Sequence, residues 1–171
     1  GMRATTGAVE EFFVDDDYEP MITTIGNKPP VGICGSGIIN VTAGLFYAGA
    51  LSAGGKIEQD LPTRRVREGE NGTEYVVVWA KDSGIGRDIV VTDVDIENVM
   101  RAKAAMFAGY RSLMDAAGIR IEEIGRVIIS GAFGNFLDIE NAVRIGLLPD
   151  VSRDRFVFIG NGSLAGACLA A

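Results

Sequence analysis

Arg126-Val-Ile-Ile-Ser-Gly-Ala-Phe-Gly-Asn-Phe136 is the stretch whose reading decides the fold of this chain. Val127 to Ile129 is a short apolar run with the character of a strand, Ser130-Gly131 breaks it, and Leu137-Asp138 opens a helical pattern. Strand, glycine turn and helix in that order bring a backbone close to a nucleotide. Gly131 and Gly134 carry no Cβ, so a base, a ribose or a phosphate can approach the main chain. The N–H groups that start the next helix favour an anion or a polar ligand group. Gly131, Ala132, Phe133, Gly134 and Asn135 are therefore candidate nucleotide contacts. A tight strand-to-helix connection with nothing bound accounts for the same residues, and these residues alone do not separate the two readings.

Two more glycine turns have the same form. Val31-Gly-Ile-Cys-Gly-Ser-Gly37 feeds a helix on which Ile38, Ile39, Val41, Leu45 and Phe46 fall at helical spacing, with Ser36 as its predicted N-cap. No Gly-Lys-Ser/Thr follows, so this is not a P-loop. Gly35, Ser36 and Gly37 are candidate contacts, and a close helix-to-sheet approach is the competing reading. The third turn is Asn161-Gly162-Ser163, after a strand over 156–160 that is expected to be buried. Ser163 is the expected cap of a helix over 164–171 made almost wholly of Ala, Gly, Leu and Cys, a composition suited to close packing on another backbone. Gly162 is the candidate contact there.

A long helix precedes the central strand. Thr92-Asp93-Val94-Asp95 has the form of a capping box with Asp in place of Glu. The pattern predicts a helix over 93–117 that stops at Gly118. Ile96, Met100, Phe107, Tyr110 and Met114 share one face, and at ~1.5 Å per residue the element is about 37 Å long. Lys103 sits among Ala102, Ala104 and Ala105, small neighbours that leave room for a ligand beside an ammonium. An ordinary surface lysine is the alternative.

The remaining elements set the fold class. Segments 7–14 and 21–25 read as a hairpin closed by the acidic turn Asp15-Asp16-Asp17, which lacks a calcium-loop spacing. Residues 56–73 are polar and read as an irregular surface excursion containing the basic cluster Arg64-Arg65-Val66-Arg67, which reads as a solvated loop or strand edge rather than a phosphate-binding patch. Segments 74–80 and 88–92 read as a second hairpin, 119–124 as a turn with a short helix, and 138–145 as a helix. Antiparallel strands followed by α-β-α-β-α predict an α/β fold: a ribonuclease-H-like, actin-like ATPase mixed sheet flanked by helices. Ligands of open α/β sheets bind beyond the carboxyl ends of strands, so the three glycine turns are expected along one edge.

Composition narrows the function. With 171 residues the chain is about one domain with room for a core, and 47% hydrophobic residues with a mean hydropathy of +0.21 mark a globular composition. No apolar run approaches the ~20 residues of a membrane helix, and no signal peptide is visible. Sparse cysteine fits a reducing compartment; a cytoplasmic protein with no membrane partner is expected. A net charge of −7 and a pI near 4.6 argue against nucleic acid. The absence of histidine removes His-dependent triads and His metal sites. Cys34 and Cys168 do not make a cluster or zinc site; Cys168 is expected to be a small buried hydrophobe and Cys34 to pack in its turn. No catalytic residue and no metal ligand are assigned.

Four segments then carry a specific resemblance. Gly-Ile-Cys-Gly-Ser-Gly-Ile-Ile (32–39), Ser-Gly-Ala-Phe-Gly-Asn-Phe-Leu-Asp (130–138), Ile-Gly-Leu-Leu-Pro (145–149) and Gly-Asn-Gly-Ser-Leu-Ala-Gly-Ala (160–167) resemble the C-terminal part of the reductive activators of corrinoid proteins. Residues 1–10 resemble the family's entry into this lobe. The resemblance implies a ferredoxin-like domain with a 2Fe-2S cluster joined to an ATPase domain of the sugar kinase, heat-shock chaperone and actin superfamily. The implied activity is ATP-driven one-electron reduction of a Co(II) corrinoid to Co(I), with a corrinoid protein or corrinoid-dependent methyltransferase as partner.

Carried over residue by residue, Gly131, Ala132, Phe133 and Gly134 match the superfamily's adenosine-contacting turn, with Ala132 and Phe133 standing where a second glycine is usual. Lys103 falls where chaperone relatives place a basic residue over the adenosine. Gly162, Gly166 and Ala167 resemble the interlobe-hinge helix. The acidic Asp-x-Gly phosphate loops do not appear, and Asp82-Ser83-Gly84 lies in the wrong context. The expectation is a single C-terminal lobe over 1–171, with 31–73 as a helix-plus-loop insertion, cut from a longer chain. It would take ATP or ADP, its Mg held mainly by the missing lobe and the 2Fe-2S cluster outside this chain; alone it would be inactive. Two alternatives stand beside it: a non-catalytic lobe for homodimerisation or corrinoid-protein docking, and a small phosphotransferase of the same superfamily.

Overall fold

The computed structural model describes residues 1–131 and 134–170, with the backbone alone described at Asn135. The chain divides into two units, Gly1–Lys103 and Ala104–Ala171. In the first, β1 (Ala8–Val14) pairs antiparallel with β2 (Pro20–Thr24) and parallel with β3 (Gly32–Ile33). The Asp15–Asp17 corner is a plain turn: Asp15 Oδ1 accepts from the N–H groups of Asp17 and Glu19 at 3.0 and 2.8 Å. Helix α1 (Gly35–Tyr47) follows β3 directly.

The α1 contact with β1 depends on small residues. A Cβ on Gly37 would run into the Val9 carbonyl oxygen, and one on Gly44 would lie 2.7 Å from Phe12 Cδ1. Asn40 Nδ2 donates to the Glu10 carbonyl at 2.7 Å, so the helix also satisfies a strand acceptor. Ser36 is not the N-cap. Cys34 holds that place without a side-chain bond, and Ser36 lies buried in the first turn with its Oγ 3.3 Å from Cys34 Sγ. The cap is dispensable because Cys34 is itself fastened to β1: its Sγ donates to the Val9 carbonyl at 3.2 Å. Cys34 thus packs in its turn as expected.

Residues 66–92 form an antiparallel meander, β4 (Val66–Gly69), β5 (Gly72–Val78) and β6 (Ile89–Thr92). The expectation of an irregular excursion over 56–73 fails at its end, where β4 pairs with β5. The basic cluster is not simply solvated either. Arg65 is buried, its guanidinium 2.6 Å from Glu19 Oε2 and donating to the Val76 carbonyl at 2.9 Å. Arg67 bridges Glu74 and Asp88, each at 2.8 Å, and both guanidinium groups lie over the Trp79 ring. Charge pairing across strands, invisible to a linear reading, converts a basic run into a structural one. The Ala80 N–H donates to Asp88 Oδ1 at 2.7 Å, and this bond, followed by Arg67, holds the Asp88 carboxyl below the usual range.

The core of this unit joins both sheets and α1: Val9, Phe12, Val41, Leu45, Tyr75, Val77, Val91 and Ile96 are buried. Tyr75 meets Phe12 edge-on, with centroids 6.1 Å apart, and its hydroxyl donates to the Tyr18 carbonyl at 2.7 Å. Burial pushes the Tyr75 phenol well above its usual pKa.

Helix α2 (Asp93–Ala117) starts as its sequence dictates and runs from the first unit into the second. Asp95 Oδ2 accepts from the Thr92 N–H at 3.0 Å, and the Asp95 N–H donates to Thr92 Oγ1 at 3.2 Å, a reciprocal box. Gly118 ends it at φ +65°. The single apolar face holds at Ile96, Met100, Tyr110 and Met114 and fails at Phe107, which is exposed.

In the second unit, β7 (Val127–Ile129) and β8 (Phe156–Phe158) form a two-stranded parallel sheet, with α3 (Ile139–Arg144) between them and α4 (Gly162–Ala170) after. Asp138 caps α3 by accepting from the Asn141 N–H at 2.9 Å. Three expectations are corrected here. Within β8 only Phe156 is buried: the sheet has two strands, and Val157 and Phe158, on its opposite faces, are both exposed. Helix α4 buries no residue, so its small side chains are not filled by another backbone and Cys168 is exposed. Its cap is Asn161, whose Oδ1 accepts from the Leu164 N–H at 3.0 Å, rather than Ser163. No helix among the described residues is long and apolar enough to cross a membrane.

Two outcomes test this account. Gly37→Ala gains helix propensity of about 1 kcal/mol, yet the clash with the Val9 carbonyl should outweigh it and destabilise the chain by about 1–3 kcal/mol in urea unfolding. A net stabilisation would show that α1 does not approach β1 this closely. For Asp88, a folded pKa below the unfolded value of about 3.9 means stability that is present above that pH and lost as pH falls through the folded value. Asp88→Asn should therefore lower the urea midpoint at pH 7 and converge with wild type towards pH 3.

Candidate functional site

The second unit brings two of the three glycine turns together, and parallel pairing is the reason. Val127, Ile128 and Ile129 stand opposite Phe156, Val157 and Phe158, so both strands end at the same level and both turns leave from one edge. The Ile159 N–H donates to the Ile129 carbonyl at 3.1 Å, and the Gly131 N–H donates to the Gly160 carbonyl at 2.6 Å. Ser130 completes the junction: its Oγ donates to the Gly160 carbonyl at 3.4 Å and accepts from the Gly162 N–H at 3.2 Å.

The glycines here have different jobs. Gly131 has φ +107° and Gly160 has φ +61°, conformations that favour glycine, and a Cβ on either would meet no atom of the described residues within 4 Å. The space over these two backbones is open. Gly134 is buried, and a Cβ there would collide with Ile129 Cγ2, so its smallness serves packing against β7. A Cβ on Gly162 would lie 2.5 Å from Ser130 Oγ. Ala132 and Phe133 lie outside the described residues, as does the side chain of Asn135.

The turn at Gly35, Ser36 and Gly37 belongs to the first unit, where the room left by Gly37 is used by the Val9 carbonyl and Ser36 is buried. Lys103, the last residue of that unit, is half-buried on α2. It forms no hydrogen bond or ion pair among the described residues.

Beside the 131 turn, an apolar groove of ≈ 830 Å³ lies within the second unit, bounded by Met106, Tyr110 and Met114 of α2, by β7, and by Leu147. On α3, Glu140 sits between Arg153 at 2.8 Å and Arg144 at 3.1 Å, and these two guanidinium groups, Arg153 foremost, hold its carboxyl below the usual range. Neither the 130–134 nor the 159–163 segment contains a carboxylate, lysine or histidine. The paired turns therefore offer backbone N–H and C=O groups and hydroxyls: a surface that can hold a ligand and that lacks a general base. No group of three or more His, Cys, Asp or Glu among the described residues could hold a metal ion.

Sequence reasoning missed the role of Ser130 and the capping by Asn161. Both signals were present, a hydroxyl just ahead of the first glycine and an Asn just ahead of Gly162, but their partners lie about thirty residues away or in a helix whose start was placed two residues late.

Comparison with known proteins fixes the family. The model of the C-terminal domain of RACo, the ASKHA domain, matches residues 1–171. The corrinoid activation enzyme RamQ of Eubacterium limosum is 37% identical over 176 residues, which take in 99% of this chain and 30% of that protein. The Co(II) methylated amine-specific corrinoid protein reductase of Methanosarcina barkeri is 31% identical over 137 residues, 79% of this chain and 21% of that protein. Among solved structures, a reductive activator for corrinoid, iron-sulfur protein superposes with a TM-score of 0.92 at 47% identity, covering 99% of this chain and 27% of that one. The chain thus spans less than a third of the length of these relatives. The α/β architecture of mixed sheets flanked by helices is that of the ASKHA fold, and the chain belongs to the family of the C-terminal ASKHA domain of the reductive activators of corrinoid proteins.

Proposed function

We propose that this chain is the nucleotide-binding lobe of an ATP-dependent activator that returns a Co(II) corrinoid protein to Co(I). The observation that carries this reading is the open backbone at Gly131 and Gly160, two left-handed glycines side by side at the end of a parallel strand pair, with no side chain over either among the described residues. Adenosine suits such a surface, because a flat group can lie on the exposed main chain.

No group of three or more metal-ligating side chains stands together among the described residues, and two cysteines, one buried and one exposed, are fewer than the four thiolates of a 2Fe-2S cluster. Mg and the cluster are assigned to parts of a longer protein in which residues 1–171 form the C-terminal lobe and 31–73 an insertion within it. This chain's share of the work is to bind and orient the nucleotide. Hydrolysis, electron supply and the corrinoid partner, a corrinoid protein or corrinoid-dependent methyltransferase, engage the rest. The names of the relatives, a corrinoid activation enzyme and a corrinoid protein reductase, support this reading.

A docking or dimerisation lobe is the second reading, favoured by exposed apolar side chains such as Leu113, Leu164 and Leu169. Calorimetric titration with ADP and ATP separates the two. Micromolar to low-millimolar binding is expected, lost in Gly131→Val, where φ +107° is strained for a β-branched residue, with circular dichroism showing the variant folded. Binding unchanged in Gly131→Val would remove the site from this turn, and no binding by the wild type would favour the docking lobe.

A further inference from the structure

Joining two glycine turns into one surface requires something to hold them in register. Each turn is only a few residues long, and each contains a glycine with φ above +60°. Such backbones have many accessible states when free. Three hydrogen bonds cross from one turn to the other, and two of them converge on a single hydroxyl. Ser130 Oγ reaches the Gly160 carbonyl at 3.4 Å and receives the Gly162 N–H at 3.2 Å, while the Gly131 N–H meets the same Gly160 carbonyl at 2.6 Å. Ser130 is exposed, so these bonds contribute little to a buried core. Their effect is local: they set where the Gly131 and Gly160 backbones lie relative to one another.

Gly162 is fitted to this arrangement. Its missing Cβ would fall 2.5 Å from Ser130 Oγ, so any larger residue must push the hydroxyl away. The room at Gly162 is therefore room for a serine side chain rather than for a ligand, unlike the open space at Gly131 and Gly160. Ser130 and Gly162 form a matched pair of hydroxyl and hole.

We propose that Ser130, seated against Gly162, is a positioning residue that latches the 160–162 turn to the 131 turn and so preorganises the two-turn surface for its ligand. The inference rests on the reading of that surface as a nucleotide site. It assigns Ser130 no contact with the nucleotide. Its action is to reduce the ordering that binding would otherwise have to impose on two short glycine turns.

The test is a double-mutant cycle read by calorimetric titration with ADP, with the thermal midpoint measured in parallel. Ser130→Ala removes the latch, and Gly162→Ala displaces it. Each is expected to weaken ADP binding by about threefold to tenfold, the scale of one or two lost hydrogen bonds. The thermal midpoint should stay within about one degree of wild type, since a purely structural role would move stability and leave affinity unchanged. Ser130→Thr keeps the hydroxyl and should bind ADP as wild type does. The double variant should bind no more weakly than either single one, because the second change acts on a latch already gone. Unchanged affinity in Ser130→Ala, or full additivity in the double variant, would overturn the latch while leaving the nucleotide site standing. Failure of the wild type to bind ADP would overturn the nucleotide reading itself, and the latch with it.

Discussion

Much of the first unit hangs on the meeting of Phe12 and Tyr75. Phe12 comes from the β1–β2–β3 sheet and Tyr75 from the β4–β5–β6 meander, and the edge-on contact at 6.1 Å places both rings in one core with Val41 and Leu45 of α1. Burying side chains of this size is worth about 1.5–3 kcal/mol each. The Tyr75 hydroxyl would reverse part of that gain if left unpaired, and the Tyr18 carbonyl prevents it. Tyr18 has φ +61°, a conformation a non-glycine residue adopts only when its surroundings demand it, and the aligned carbonyl is what this turn supplies. Around this contact the charges of the meander are paired: Arg65 with Glu19, and Arg67 with Glu74 and Asp88.

The second unit is built on a different principle. Its two-stranded parallel sheet is short, and Ile128, Val157 and Phe158 stay exposed. Parallel strands are ordinarily covered on both faces. The unit has its own well-formed parts even so: the capped helix α3, the Glu140 cluster with Arg144 and Arg153, and the crossed hydrogen bonds between the 131 and 160 turns. The best-defined feature in it is thus the place where two strand ends deliver two glycine backbones to the same edge.

Glycine illustrates how one residue type serves opposite ends. Gly37 and Gly134 let the protein pack against itself, and Gly162 makes room for a serine. Gly131 and Gly160 leave space that no described residue fills. In the sequence all five look alike: each lies in a short turn of small residues next to an apolar segment. Only the positions of Val9, Ile129 and Ser130 in space tell filled room from open room. Cysteine behaves likewise, with Cys34 buried against the Val9 carbonyl and Cys168 exposed on α4.

The sequence by itself determined what is local. The 93–117 helix was legible at both ends, because the Thr92–Asp95 box and Gly118 act within four residues of the bonds they form. The hairpin over 8–24, the order of elements from the 93–117 helix onward, and the motifs that mark the family could also be read directly, since alternation, turn residues and short motifs are properties of contiguous chain. The tertiary structure decided what depends on partners distant in sequence. It buried Arg65 by bringing Glu19 to it, made a strand of 66–69 by pairing it with β5, and left α4 uncovered against the expectation of its small residues. It also turned Ser130 from a strand terminator into the hydroxyl that joins two turns, because a hydrogen bond between residues thirty-two apart exists only once parallel pairing has set their strands side by side.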